Sequence, residues 1–136
     1  MQKPISPKMH GVIDYTTSAT VAMAPKMLDL PKRAGAVALG LAGGYTALSM
    51  MTKYPAGAVK AIPFKGHGMA EAAIGLALPF VPRMLHIKNK KARRKTQLFF
   101  CGLSTMTAIV AMLTDWNSLS ARGQIGASVR DARAAA

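Results

Sequence analysis

Acidic residues are scarce in this chain of 136 residues. Five Asp and Glu stand against eighteen Lys and Arg, a net charge of +13. An excess of that size draws polyanions: nucleic acid, anionic lipid headgroups or an acidic protein face. Cysteine is nearly absent. The single Cys101 excludes an intramolecular disulfide and any multi-cysteine metal site, and its place in an apolar run reads as a small buried hydrophobe. Aromatics make up 6% of a chain that is 51% hydrophobic, so Ala, Gly, Met and Leu carry the apolar content. A Gly-rich phosphate loop, a Ser/His/Asp set, a zinc-finger spacing and an RNA-binding signature are all missing. No catalytic residue is therefore assigned, and nucleic acid is set aside as a partner.

What the chain does have is an internal repeat. His10-Gly11-Val12-Ile13-Asp14 opens an apolar stretch ending in Pro25-Lys26-Met27-Leu28, and His67-Gly68-Met69-Ala70-Glu71 opens another ending in Pro82-Arg83-Met84-Leu85. The offset is 57 throughout, pairing His10, Gly11, Asp14 and Pro25 with His67, Gly68, Glu71 and Pro82. A second apolar stretch follows each. One ends in Met51-Thr52-Lys53-Tyr54 and the other in Leu113-Thr114-Asp115-Trp116, at an offset of 62. A repeat of this length fixes architecture before it names an activity.

The apolar stretches cover residues 15–24, 34–52, 72–82 and 97–114. The second and fourth are free of ionisable groups over roughly the minimum needed to span a bilayer. The first and third reach that length by extending to 14–30 and 71–87. None presents the polar face of a soluble amphipathic helix. The glycines of residues 34–44 would weaken a helix in water, each by about 1 kcal/mol relative to alanine. In lipid they let helices approach. Ala36, Gly40 and Gly44 recur every fourth residue as a small-residue face for helix packing. Tyr15, Tyr54 and Trp116 fall at one end of the stretches, where an interfacial aromatic belt belongs.

The N-terminal run is not read as a signal peptide. Asp14 interrupts it, Pro25 would follow the cut, and the same segment recurs internally. The expected fold is all-α: four transmembrane helices built as two tandem parallel helical-hairpin repeats, in a single membrane domain over 1–136. Repeat one spans about 8–57, repeat two about 65–119, and a polar tail 120–136. The turns inside the hairpins carry ten basic residues against eight on the opposite side. The dense run Lys88, Lys90, Lys91, Arg93, Arg94 and Lys95 favours that side as cytoplasmic and as a patch for anionic headgroups. Both termini are then outside.

The pattern resembles the Ser-Pro-Trp repeat family of small bacterial integral membrane proteins. The resemblance covers about residues 8–116. It rests on His10, Gly11, Asp14, Tyr15, Pro25, Thr52 and Tyr54 in one copy, and on Ile62, Pro63, His67, Glu71 and Pro82 in the other. The family's serine is Ala24 and Val81 here, and its tryptophan is Lys26 and Arg83. The resemblance implies a multi-pass protein of the bacterial inner membrane with paired helical hairpins, and no established biochemical activity.

His10 and Asp14 are four apart, as are His67 and Glu71, so each pair shares a helix face. The simplest reading is a helix-start cap with a local hydrogen bond, with no cofactor and no metal assigned. Three sharper readings compete. His10 and His67 could ligate a haem from opposite helices. The four groups could hold a divalent metal. Asp14 and Glu71 could relay protons or ions in a small ion-coupled transporter. The expected role is a non-catalytic structural or accessory subunit. It would pack against other transmembrane subunits or against itself.

Overall fold

The computed structural model describes residues 3–118; the expected polar tail lies outside the described residues. The described chain is mostly helical, without strands. Helix α1 spans Pro7–Met27, α2 Lys32–Met50, α3 Phe64–Ala77, α4 Val81–Met84 and α5 Lys90–Leu113. A 3-10 turn, Leu78–Phe80, joins α3 to α4. Helix α1 packs along α2, and α3 with its 3-10 turn packs along α5. The expected four helical segments are thus present, with the third one broken.

Local chemistry explains the boundaries. Ser6 caps α1 by accepting from the Met9 N–H, and Pro7 occupies the first turn, where its missing N–H costs nothing. The α1 end is a Schellman-type turn. Asp29 takes a positive φ of 48° and the Leu30 N–H donates to the Pro25 carbonyl at 3.0 Å. His86, 57 residues on, has the same φ of 48°. The break between α3 and α4 falls where Pro79 and Pro82 each remove a backbone donor. Pro79 has no counterpart in the first copy, where Ala22 stands, so α1 runs on through Pro25 to Met27.

One expectation needs correction at α5. The basic run does not lie in a loop: Lys90 to Lys95 form the first turns of the helix, started by Asn89, whose side chain accepts from the Ala92 N–H at 3.0 Å. Among the described residues α5 is the one helix long and apolar enough, by length and composition, to cross a membrane.

The first hairpin turn meets the start of α5 at one end of the bundle, where Lys95 Nζ donates to the Leu28 carbonyl at 3.2 Å. At the other end the chain segments pair crosswise. Ile5 bridges Thr114, and Ile62 bridges Thr52. These partners obey the two sequence offsets, 57 for the isoleucines and 62 for the threonines. The start of each copy is therefore held by the end of the other.

Small side chains set the helix spacing. On α2 the buried face carries Ala34, Ala38 and Ala42, which pack with Leu30, Leu78 and Phe100 in one cluster and Val21 in another. Ala36, Gly40 and Gly44 lie on a different, exposed face, and no neighbour among the described residues lies within 4 Å of a Cβ placed at Gly40 or Gly44. The in-chain contact thus uses a second four-residue stripe, two positions away from the expected one.

The radial distribution of polarity is inverted. Of the eight largest fully buried side chains among the described residues, Phe100 alone is apolar; the others are His10, His67, Thr52, Thr96, Thr114, Asp14 and Ser49. Meanwhile Met69, Leu76, Leu98, Ile109 and Met112 are all more than half exposed.

Candidate functional site

The repeated His-x-x-x-acid motif builds the centre of the molecule. His10 and Asp14 project from α1, one and two turns in, and His67 and Glu71 from the start of α3. All four are buried, none with more than 2% of its surface exposed. The motif does not cap helices, contrary to the simplest sequence reading. Ser6 caps α1, and α3 starts at Pro63 with no side-chain cap. The two copies instead face one another, with imidazole centroids 5.4 Å apart, edge to face.

The glycine after each histidine admits an aromatic ring. A Cβ on Gly11 would sit 2.9 Å from the Tyr54 ring, and one on Gly68 would sit 2.8 Å from the Trp116 ring. Tyr54 is 2% exposed, so it packs over the centre and does not anchor in a headgroup belt. Phe64 stacks between Tyr54 and Trp116 and meets His10 edge-on at 5.4 Å.

Hydrogen bonds fix the histidine tautomers. Thr114 Oγ1 spends its one proton on the Val110 carbonyl at 2.7 Å, so the His10 Nδ1 lying 2.8 Å from that oxygen must be the donor. Thr52 Oγ1 likewise donates to the Leu48 carbonyl at 2.6 Å, and His67 Nδ1 donates to it at 2.8 Å. With Nδ1 protonated, a neutral imidazole presents a bare lone pair at Nε2. Both Nε2 atoms are buried and accept no hydrogen bond among the described residues.

Those lone pairs point at carboxylates. His10 Nε2 is 3.4 Å from Asp14 Oδ1 and 3.4 Å from Glu71 Oε2, and His67 Nε2 is 3.4 Å from Asp14 Oδ2. Hydroxyl donors also hold the carboxylates, for Asp14 at the oxygen that faces His67 and for Glu71 at the oxygen away from His10. Ser49 and Tyr54 donate to Asp14 Oδ2 at 3.2 and 2.9 Å, and Tyr45 donates to Glu71 Oε1 at 2.5 Å. Burial pushes the Tyr54 phenol above its ordinary range, which keeps it a donor. Glu71 Oε2 has no hydrogen-bond partner among the described residues. A lone pair set against a carboxylate oxygen is repulsive unless a proton or a cation lies between them.

The sequence reading therefore located four residues of this centre and missed their supports. Thr52 and Thr114 recur at the repeat ends, a visible signal with no role attached. Tyr45 and Ser49 were legible only as polar interruptions of an apolar run, four apart on α2. The basic residues from Lys88 to Lys95 and the Ala36/Gly40/Gly44 face lie away from the centre, on the outer surface. Cys101 is half-buried and takes no part.

Fold and site together define an all-α protein of paired hairpins enclosing a buried two-histidine, two-carboxylate centre. Comparison with protein-family models, curated proteins and solved structures finds no match to this chain.

Proposed function

We propose that this chain is a small multi-pass membrane protein that acts as a structural or accessory element, packing its apolar surface against lipid and other transmembrane helices. The observation that carries the reading is the inverted polarity. Among the described residues, ten buried polar or charged side chains accompany eleven buried hydrophobic ones, while every long helix exposes large apolar residues. In water such a surface aggregates; in a bilayer it is the solvated face, and polar groups belong inside. The reading takes α1, α2, the α3–α4 segment and α5 as the spans, arranged as two parallel hairpin repeats about an axis along the bundle. The crosswise pairs Ile5–Thr114 and Ile62–Thr52 support that arrangement.

The outward face of Ala36, Gly40 and Gly44 supports a role in packing, because it leaves a close approach to the α2 backbone open to a helix from another subunit. The basic first turns of α5 add a site for anionic headgroups and favour a cytoplasmic position for the hairpin turns. Both termini are then outside the bacterial inner membrane. Membership of the Ser-Pro-Trp repeat family remains part of this proposal, resting on the repeated residues. Alkaline carbonate washing of membranes from cells expressing the chain tests the reading. The protein stays in the pellet if it is integral and leaves with the supernatant if it is a soluble bundle. Purification in mild detergent then identifies any subunit it accompanies.

A further inference from the structure

Charge, geometry and tautomer all converge at the buried centre. With both imidazoles neutral, ionising both carboxyl groups would place two negative charges where there is no solvent exposure. An uncompensated buried carboxylate is costly, and a pair of them more so. One divalent cation would bring the net charge of the four groups to zero.

The distances fit that cation. Ligand atoms placed tetrahedrally at about 2.0–2.1 Å from zinc are separated from one another by about 3.3–3.4 Å. The three nitrogen–oxygen separations are each 3.4 Å, with Asp14 facing His10 through Oδ1 and His67 through Oδ2, so that its carboxylate lies between the two imidazoles. A shared proton would draw these atoms closer, to about 2.7–2.9 Å. One ligating atom from each of His10, Asp14 and His67 lies within 4.8 Å of the others; Glu71 stands outside that group and reaches it from the His10 side, with Oε2 3.4 Å from His10 Nε2.

The outer contacts match as well. Histidine ligands hold their second ring nitrogen by donating it to an oxygen, which fixes the tautomer and aims the lone pair. Thr114 and Thr52 do this for His10 and His67. We propose that His10, His67, Asp14 and Glu71 bind one divalent first-row transition-metal ion, of the zinc or iron(II) class. Imidazole donors disfavour magnesium and calcium, which take oxygen ligands. A haem does not suit the space. The imidazoles meet edge to face, and the neighbouring cavity, lined by Asp14, Tyr45 and Glu71, measures about 10 Å³.

The test uses the full chain in mild detergent, stripped with chelator, confirmed folded by circular dichroism, and titrated with zinc and with cobalt(II) as the spectroscopic probe. The expected result is one ion per chain, with a visible cobalt band displaced by zinc. Binding should be lost in His10→Ala and in His67→Ala, and should persist in His86→Gln, which changes an exposed histidine away from the centre. Thr114→Val keeps all four ligands and removes only the acceptor that orients His10. It should weaken zinc by about 10–100-fold, as loss of an outer-shell partner does. Substoichiometric uptake by the folded wild-type chain overturns the proposal whatever the variants do. Uptake that survives both single histidine changes, or that is lost in His86→Gln, overturns it too.

Discussion

His10 and Thr114 are 104 residues apart in sequence and 2.8 Å apart in the fold, both without solvent exposure. His67 and Thr52 repeat the contact at the same 2.8 Å. Each copy of the repeat thus lends its terminal threonine to the other copy's histidine. This exchange ties the hairpins together at the level of the buried centre.

Removing one of these acceptors should be felt in stability. Thr114→Val preserves shape but leaves the His10 Nδ1–H buried without a partner, at a cost of about 1–3 kcal/mol. Thr114→Ser restores the hydroxyl and should recover most of the loss. Unfolding of the purified chain in detergent, followed by circular dichroism, separates the two variants.

The glycines divide into two kinds. A Cβ at Gly68 would sit 2.8 Å from the Trp116 ring, and that ring is held by its own Nε1 donating to the Ala111 carbonyl at 2.9 Å. Gly68→Ala should therefore destabilise the fold by about 1–3 kcal/mol through overpacking. A Cβ at Gly40 meets nothing within 4 Å among the described residues. Gly40→Ala should leave the purified chain as stable as wild type, and Gly40→Leu should do the same while displacing any partner helix seated on that face. Thermal unfolding reads the first effect, and co-purification reads the second.

Orientation is testable at the start of α5. Ala92→Cys in a Cys101→Ser background places one thiol among Lys90, Lys91, Arg93 and Arg94. With the hairpin turns in the cytoplasm, a membrane-impermeant thiol reagent should label it in lysed cells and not in intact ones. Strong labelling of intact cells reverses the topology.

The helical framework was legible because the repeat carries its own punctuation. Pro25 and Pro82 mark the ends of the first helix of each copy, and the apolar runs at 34–52 and 97–114 mark the second. The break at Pro79 escaped because it has no counterpart in the first copy. The start of α5 at Lys90 escaped because a charge run beside an apolar stretch looks like a loop; Asn89 was the cap signal that went unread.

The site was half legible. A spacing of four puts His10 with Asp14 and His67 with Glu71 under either a capping or a ligand reading. Local spacing cannot choose between them, because the choice depends on which residues arrive from elsewhere. The Thr114 and Thr52 hydroxyls settle the imidazole tautomers, and both reach the centre through pairings across the chain. The packing stripe on α2 shows the same limit. Residues 34–44 are so rich in Ala and Gly that two stripes have the required spacing, and only the positions of Val21 and Phe100 decide which one is buried.

The inverted polarity of this bundle is tested most directly by spin labels on its outer face. Leu76→Cys on α3 and Ile109→Cys on α5, each in a Cys101→Ser background and reconstituted in vesicles, place labels at positions exposed by 76% and 52%. The account predicts that both labels relax with oxygen dissolved in the lipid and are shielded from a water-soluble nickel chelate. Ready access of the chelate to both labels would place that face in water and contradict it.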